Sequence, residues 1–132
     1  MNILMLRIVV GVMMFAFHGL PKWVNLSSVI NTFPDPIGLG PELGFLLVVF
    51  AEVFCSVLII TGTFFRLACI PLIFAMWVVT FIFHANDSIS DIELPLFYLA
   101  SYLFFFFHGP GQYSLRFKFD RVQNRILSWL LK

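Results

Sequence analysis

"LGFLLVVFAEVFCSVLIITG", residues 43–62, is the stretch that decides the fold. It carries one charged side chain, that of Glu52, near the middle of the run. The hydrocarbon core of a bilayer is about 30 Å thick, and a helix needs roughly 20 apolar residues to cross it. The stretch therefore predicts a transmembrane helix with a single carboxylate deep in the membrane.

The composition of the whole chain indicates the same surroundings. Of its 132 residues, 61% are hydrophobic and 11% are charged, and the mean hydropathy is +0.98. Soluble domains have about a quarter of charged residues, so this chain has too few polar side chains to cover a small body in water. We expect the lipid bilayer, and no nucleic acid, as its partner.

Three further apolar runs accompany this stretch. A cleavable signal peptide is the alternative for the first run, but no small-x-small cleavage site follows it. The sequence therefore predicts an all-α fold, an integral membrane bundle of four transmembrane helices within residues 1–111. The predicted spans are about 3–20, 43–62, 67–83 and 92–108.

Residues 112–132 form a tail with a different pattern. Apolar residues recur there at helical spacing, and cations line another side of the same helix. The pattern predicts an amphipathic helix on the cytoplasmic leaflet, and a helix packed against a partner subunit is the alternative. The apolar residues are Phe119, Val122, Ile126, Trp129 and Leu130, and the cations are Lys118, Arg121 and Arg125.

The basic residues predict the orientation, because Lys and Arg in short flanking segments stay on the cytoplasmic side. Seven of the eight agree if both termini are cytoplasmic, and Lys22 is the exception. The seven are Arg7, Arg66, Arg116, Lys118, Arg121, Arg125 and Lys132.

The connections between the spans have distinct characters. Residues 63–66 are short enough to force the second and third spans into an antiparallel hairpin. Residues 21–41 contain several prolines and glycines, which predicts a structured or partly re-entrant loop. Pro21 is expected to end the first helix, which places His18 and Lys22 where that helix leaves the hydrocarbon.

Glu52 needs a partner, because an uncompensated carboxylate inside a bilayer is costly. Arg7 is the candidate of opposite sign, and the hydroxyl groups of Tyr98 and Tyr102 are the other candidates. Arg66 is a further cation with a structural or pairing role. The alternative is that Glu52 carries a proton or binds a ligand.

Polar residues are expected to meet at the outer mouth of the bundle. Imidazole beside carboxylates can relay protons near neutral pH, and such a group can protonate a quinone oxygen. The alternative is that the histidines only end their helices. The candidate site consists of His18, Lys22, Glu52, His84 and Glu93, with Glu42 near them.

Other chemistry is mostly excluded. Cys55 and Cys69 form no Cys-x-x-Cys motif, and the chain has no haem-attachment motif, phosphate loop or dinucleotide fingerprint. We therefore expect no covalently bound cofactor and no metal site. Any electron carrier would be a diffusible quinone or the cofactor of a partner.

Several motifs resemble those of the DoxX family, small bacterial four-helix membrane proteins. They are "RIVVGVMMFAFHGLPK" at 7–22, "GTFFR" at 62–66 and "ELPLFYLASYLFFFFHGPGQYSL" at 93–115. Gln112 stands where the family usually has arginine, and Arg116 where it often has aspartate. The resemblance implies a multi-pass protein of the bacterial inner membrane.

The resemblance also implies a class of function. Family members resemble membrane subunits of oxidoreductases, including a thiosulfate:quinone oxidoreductase, and parts of oxidative-stress complexes. The expected function is an accessory, quinone-interacting subunit rather than a self-sufficient enzyme. The alternatives are a non-catalytic scaffold for partner subunits, and transport of protons or small solutes by a homo-oligomer, which the position of Glu52 suggests.

Overall fold

A computed structural model describes residues 3–115 and 125–131, and all regular structure in these ranges is helical. Four of the helices are long and apolar enough to cross a membrane, which confirms the predicted fold class. The helices are α1 (Ile3–Val24), α2 (Leu26–Val29), α3 (Pro41–Thr61), α4 (Phe65–Phe83), α5 (Ile89–His108) and α6 (Arg125–Leu131).

The four long helices pack in an antiparallel order. α1 packs on α3, α3 continues into α4 through a tight turn, and α4 makes its most extensive contacts with α5. The start of α1, the end of α5 and helix α6 therefore lie at one end of the bundle, here called the terminal end, and residues 25–40 and 84–88 form the opposite loop end. Apolar side chains fill the centre, and many others point outward, as lipid requires. The central residues include Val10, Met14, Ile59, Leu72 and Phe105.

Three of the long helices contain a π-helical turn: Phe15–Gly19 in α1, Phe50–Cys55 in α3 and Val79–Phe83 in α4. Such a turn holds one extra residue, so it shifts the faces of the helix on either side, and π-helical turns are frequent at functional sites. The shift decides which side chains meet between α1 and α3.

The prediction that Pro21 ends the first helix is wrong, because α1 continues to Val24. The N–H of Leu20 bonds to the carbonyl of Phe15, five residues earlier, and α-helical geometry then resumes. Pro21 lies in the first turn of the resumed segment, where a missing N–H is tolerated. Lys22 therefore stays on a helix that still faces the bundle.

The loop at residues 25–40 is structured, as the sequence predicts. The Asp35 carboxylate accepts hydrogen bonds from the backbone N–H groups of Leu39 and Gly40, both at 2.9 Å. The ring of Phe33 packs edge-on against Phe45 of α3, with centroids 5.1 Å apart. These contacts hold the loop over the first half of α3.

Arg7 closes the terminal end of the bundle. Its side chain is buried and donates hydrogen bonds to the carbonyls of Pro110, at 2.7 Å, and of Tyr113. The predicted pairing of Arg7 with Glu52 is therefore wrong, because the guanidinium binds carbonyls that follow α5. A side chain at Gly62, which has a φ of +77°, would meet this guanidinium.

Arg66 joins α6 to the rest of the terminal end. Its Nε donates to the carbonyl of Phe106 at 3.0 Å and its Nη1 to that of Trp129 at 3.1 Å. The guanidinium also lies 4.2 Å from the centroid of the Trp129 ring. The predicted tail helix is observed over Arg125–Leu131, whereas its predicted members Lys118, Phe119, Arg121 and Val122 lie outside the described residues. Its placement on a lipid leaflet stays a prediction.

Replacing Arg7 tests the closure of the terminal end. We expect Arg7→Met to lower the free energy of unfolding by about 2–4 kcal/mol, because one buried and one partly buried carbonyl lose a charged donor. Arg7→Lys should recover only part of the loss, since an ammonium lacks the planar fork of a guanidinium. Denaturant unfolding in detergent micelles measures this. The exposed Arg125→Met at the same end of the bundle serves as the control and should change little.

Candidate functional site

An ion pair lies inside the bundle between Lys22 of α1 and Glu52 of α3. The Lys22 Nζ is 2.5 Å from the Glu52 Oε2. The Glu52 side chain is 4% exposed and that of Lys22 is 26% exposed, so the pair is largely removed from water. A buried charge that loses its partner strongly destabilises a protein, and a lipid surrounding offers no replacement for it.

The pair forms because α1 and α3 approach closely at Gly19. A Cβ built on Gly19 would lie 2.7 Å from the backbone oxygen of Glu52 and 2.9 Å from the Val53 Cγ2. Real Cβ atoms do not come so close to backbone, so only glycine allows this contact. Lys22 follows three residues later, nearly one helical turn, and therefore projects toward Glu52.

The pair also explains the basic residue that disagrees with the predicted orientation. Lys22 lies toward the loop end of the bundle, whereas Arg7 and Arg66 lie at the terminal end. Because Glu52 compensates its charge inside the bundle, Lys22 is a buried partner rather than a flanking cation. Two features of the sequence indicate the pair: Lys22 is the basic residue that disagrees with the predicted orientation, and Glu52 is the one carboxylate of the second span.

A cavity of about 380 Å³ lies beside the ion pair, between α3, α4 and the loop at residues 33–39. Its walls are mostly apolar and include Leu47, Phe50, Phe74 and Val78. Gly44 lines it as well, and a Cβ built there would meet nothing within 4 Å. The polar side chains in its lining are Lys22, Asp35, Glu52 and His84.

The structure brings some of the candidate site residues together and leaves others apart. Lys22, Glu52 and His84 line the cavity, and the His84 Nδ1 lies 2.6 Å from the Asp87 Oδ2. His18 packs edge-on against the ring of Tyr98, with centroids 5.5 Å apart, outside the cavity lining. Glu93 is exposed on α5, also outside the lining.

Sequence reasoning overlooked Asp35 as a residue of this region. Asp35 stands between Pro34 and Pro36, and its carboxylate holds the loop that covers the cavity. A carboxylate between two prolines indicates a shaped turn, but the pattern does not reveal what the turn covers.

Four buried hydroxyl groups lie in the interior, and none of them has a hydrogen-bond partner among the described residues. Tyr98 and Tyr102 stand one turn apart on α5, with nearly parallel rings whose centroids are 6.1 Å apart. The expectation that one of these hydroxyls ties Glu52 in place is not met, because the carboxylate bonds to Lys22. The four hydroxyls belong to Ser56, Thr80, Tyr98 and Tyr102.

The described part of the chain contains no arrangement of residues suited to metal binding or thiol chemistry. No group of three or more His, Cys, Asp or Glu residues in residues 3–115 and 125–131 is placed to hold a metal ion. Cys55 and Cys69 are both buried and unbridged. The chemistry available beside the cavity is that of the Lys22 ammonium, the Asp35 and Glu52 carboxylates and the His84 imidazole.

Exchanging the charged pair tests its energetic role. We expect Lys22→Met to lower the free energy of unfolding by about 3–5 kcal/mol, because Glu52 is left buried without a counter-charge. The double variant Lys22→Met/Glu52→Gln should be more stable than Lys22→Met alone, since no charge remains uncompensated. The free energy of unfolding in micelles is measured for the wild type, Lys22→Met, Glu52→Gln and the double variant. The pairing is contradicted if the effects of the two single substitutions simply add in the double variant.

The glycine contact is tested by two matched substitutions. Gly19→Ala should lower the free energy of unfolding by about 1–3 kcal/mol, because the added methyl group pushes α1 away from α3. Gly44→Ala is the control and should be neutral or stabilising by up to about 1 kcal/mol, since the new Cβ meets open space and alanine favours helix. Equal effects of the two substitutions, measured by the same unfolding assay, would refute the close approach.

Comparison with known proteins gives one match. A family model described as DoxX matches residues 2–85, from the start of α1 to just beyond the end of α4. That range includes the whole Lys22–Glu52 pair and His84. Searches of curated proteins and of solved structures gave no significant match.

Proposed function

Because the chain belongs to the DoxX family and is a multi-pass membrane protein, we propose that it binds a membrane quinone beside the Lys22–Glu52 pair. In this role it is an accessory subunit of a membrane-associated oxidoreductase. The observation that supports the proposal is the cavity of about 380 Å³ with apolar walls and one ion pair at its edge.

The cavity has the character of a site for a flat lipid-soluble ring. Its volume falls within the range of about 300–1,000 Å³ that small-molecule sites occupy, and such sites combine apolar walls with a few polar groups. Phe50 and Phe74 offer aromatic surface. Lys22 offers an ammonium that can donate a hydrogen bond to a carbonyl oxygen of the ring.

A quinone would supply two-electron chemistry in which each carbonyl oxygen takes up a proton. Glu52 lines the cavity and can hold a proton at a carboxyl oxygen, while Lys22 orients that group. The chain contains no haem-attachment motif, dinucleotide fingerprint or Cys-x-x-Cys. Electrons would therefore come from the redox cofactor of a partner subunit, which makes this chain an accessory one.

The proposed setting is the bacterial inner membrane, with both termini in the cytoplasm. Arg7, Arg66 and Arg125 lie in the helices that meet at the terminal end, where Arg66 contacts both α5 and α6. Cations flanking the spans on one side favour that side as cytoplasmic. The cavity would then face the outer half of the membrane.

Transport through a single copy has little support in the described structure. The fully buried side chains of Ile59, Phe65 and Phe105 pack together in the core cluster, as do Leu72 and Cys69. This packing fills the bundle between the ion pair and the terminal end. A ligand site reached from one side agrees better with this arrangement than a path across the membrane.

A cavity-filling substitution tests the proposal. Protein extracted with native lipid from quinone-containing membranes should carry quinone in near-stoichiometric amount, measured by mass spectrometry. Gly44→Leu should lose at least nine-tenths of it, because the new side chain enters the cavity. Ala100→Leu on the exposed face of α5 is the control and should keep its quinone.

Two outcomes would contradict quinone binding at this site. One is a wild-type protein without quinone, and the other is a folded Gly44→Leu variant that keeps it. A wild-type protein without quinone but with a reproducible partner polypeptide would favour the scaffold role instead.

A further inference from the structure

Three buried hydroxyl groups lie close together at the centre of the bundle, those of Ser56, Tyr98 and Tyr102. Ser56 and Tyr102 are fully buried, and Tyr98 is 2% exposed. None of the three hydroxyls has a hydrogen bond of good geometry within the described residues, although those of Ser56 and Tyr102 lie close enough to form a weak one. Lipid offers no partner to a buried hydroxyl, so such groups are normally paired inside a membrane protein.

The three groups are neighbours of one another and of the charged pair. Tyr98 and Tyr102 stack in parallel on α5, and Ser56 of α3 adjoins the hydroxyl of Tyr102. Tyr98 packs against His18, and Gly19, the next residue along α1, contacts the Glu52 backbone. Ser56 also follows Glu52 by four residues on the same helix.

Isolated unpaired hydroxyls would each be a defect, whereas several in one place indicate a common partner. Water is the partner that suits hydroxyls from different helices, because one molecule makes two to four hydrogen bonds in different directions. The π-helical turn Phe50–Cys55 directly precedes Ser56 and interrupts the regular packing of α3 beside this cluster. A dry apolar filling would leave the Tyr98 hydroxyl without a partner and would leave Tyr102 with no partner except Ser56.

We propose that Ser56, Tyr98 and Tyr102 form an internal water site that hydrates the Glu52 carboxylate from within the bundle. The site is separate from the cavity, whose lining includes none of the three residues. It does not depend on what the cavity binds. Its consequence is that Glu52 keeps a polar neighbour besides Lys22.

Radiolytic footprinting of the wild-type protein tests for the water directly. Brief X-ray exposure generates hydroxyl radicals from bound water, and mass spectrometry then locates the oxidised side chains. We expect oxidation of Tyr98 and Tyr102 at least several-fold faster than that of Phe65, an equally buried ring on α4 that packs against Phe105. Equal protection of all three rings would overturn the proposal.

The sign of a stability change gives an independent test. If Tyr98 is hydrated, Tyr98→Phe leaves the midpoint of thermal unfolding unchanged or lowers it. If the hydroxyl is dry and unpaired, its removal relieves a desolvation cost and the midpoint rises, which would overturn the proposal. Tyr113→Phe, at an exposed ring, controls for the general effect of losing a hydroxyl.

The link to Glu52 has its own readout. Tyr102→Phe should lower the midpoint by more in the wild type than in the Glu52→Gln background, because an amide needs less hydration than a carboxylate. Ser56→Ala should also slow the oxidation of Tyr102 in the footprinting experiment. An equal decrease of the midpoint by Tyr102→Phe in the wild type and in the Glu52→Gln background would refute the coupling of this water site to Glu52.

Discussion

The ion pair between Lys22 and Glu52 is the constraint on which the loop end of this bundle depends. Two opposite charges inside a lipid-embedded protein are stable only while they stay together, since lipid can solvate neither of them. Their distance of 2.5 Å requires α1 and α3 to touch, and Gly19 permits that contact. The π-helical turns on both helices set the rotation that points the two side chains at each other. The register and the spacing of α1 and α3 therefore both depend on the charged pair.

The two ends of the bundle are held by different physics. At the terminal end, the Arg7 guanidinium binds backbone carbonyls in the segment after α5, and that of Arg66 binds carbonyls in the last turns of α5 and α6. Those contacts close the end tightly around Gly62. At the loop end, α3 and α4 separate under a proline-containing loop that Asp35 shapes, and a cavity remains between them. Arginine side chains close the terminal end, whereas the loop end contains the cavity.

The interior of this DoxX-family bundle holds polar side chains where an apolar core would be expected in lipid. A bundle built only for structural purposes would gain stability from apolar residues at positions 22, 52, 56, 98 and 102. The chain instead places a charged pair and three hydroxyl groups there. Polar groups of this kind inside a membrane protein are what the proposed function rests on, and in that proposal the adjoining cavity holds the lipid-soluble molecule.

The sequence by itself determined the four helices and the hairpin at residues 63–66, because lipid imposes length and hydropathy on each span separately. Its motifs also determined the family. It also singled out Glu52 as a charge in need of a partner. Tertiary structure alone decided that the partner is Lys22 and not Arg7. That choice depends on how far α1 slides and rotates against α3, and a π-helical turn changes both without any mark in the hydropathy. The cavity and the grouping of Ser56 with Tyr98 and Tyr102 arise between helices distant in sequence, so no local pattern could reveal them.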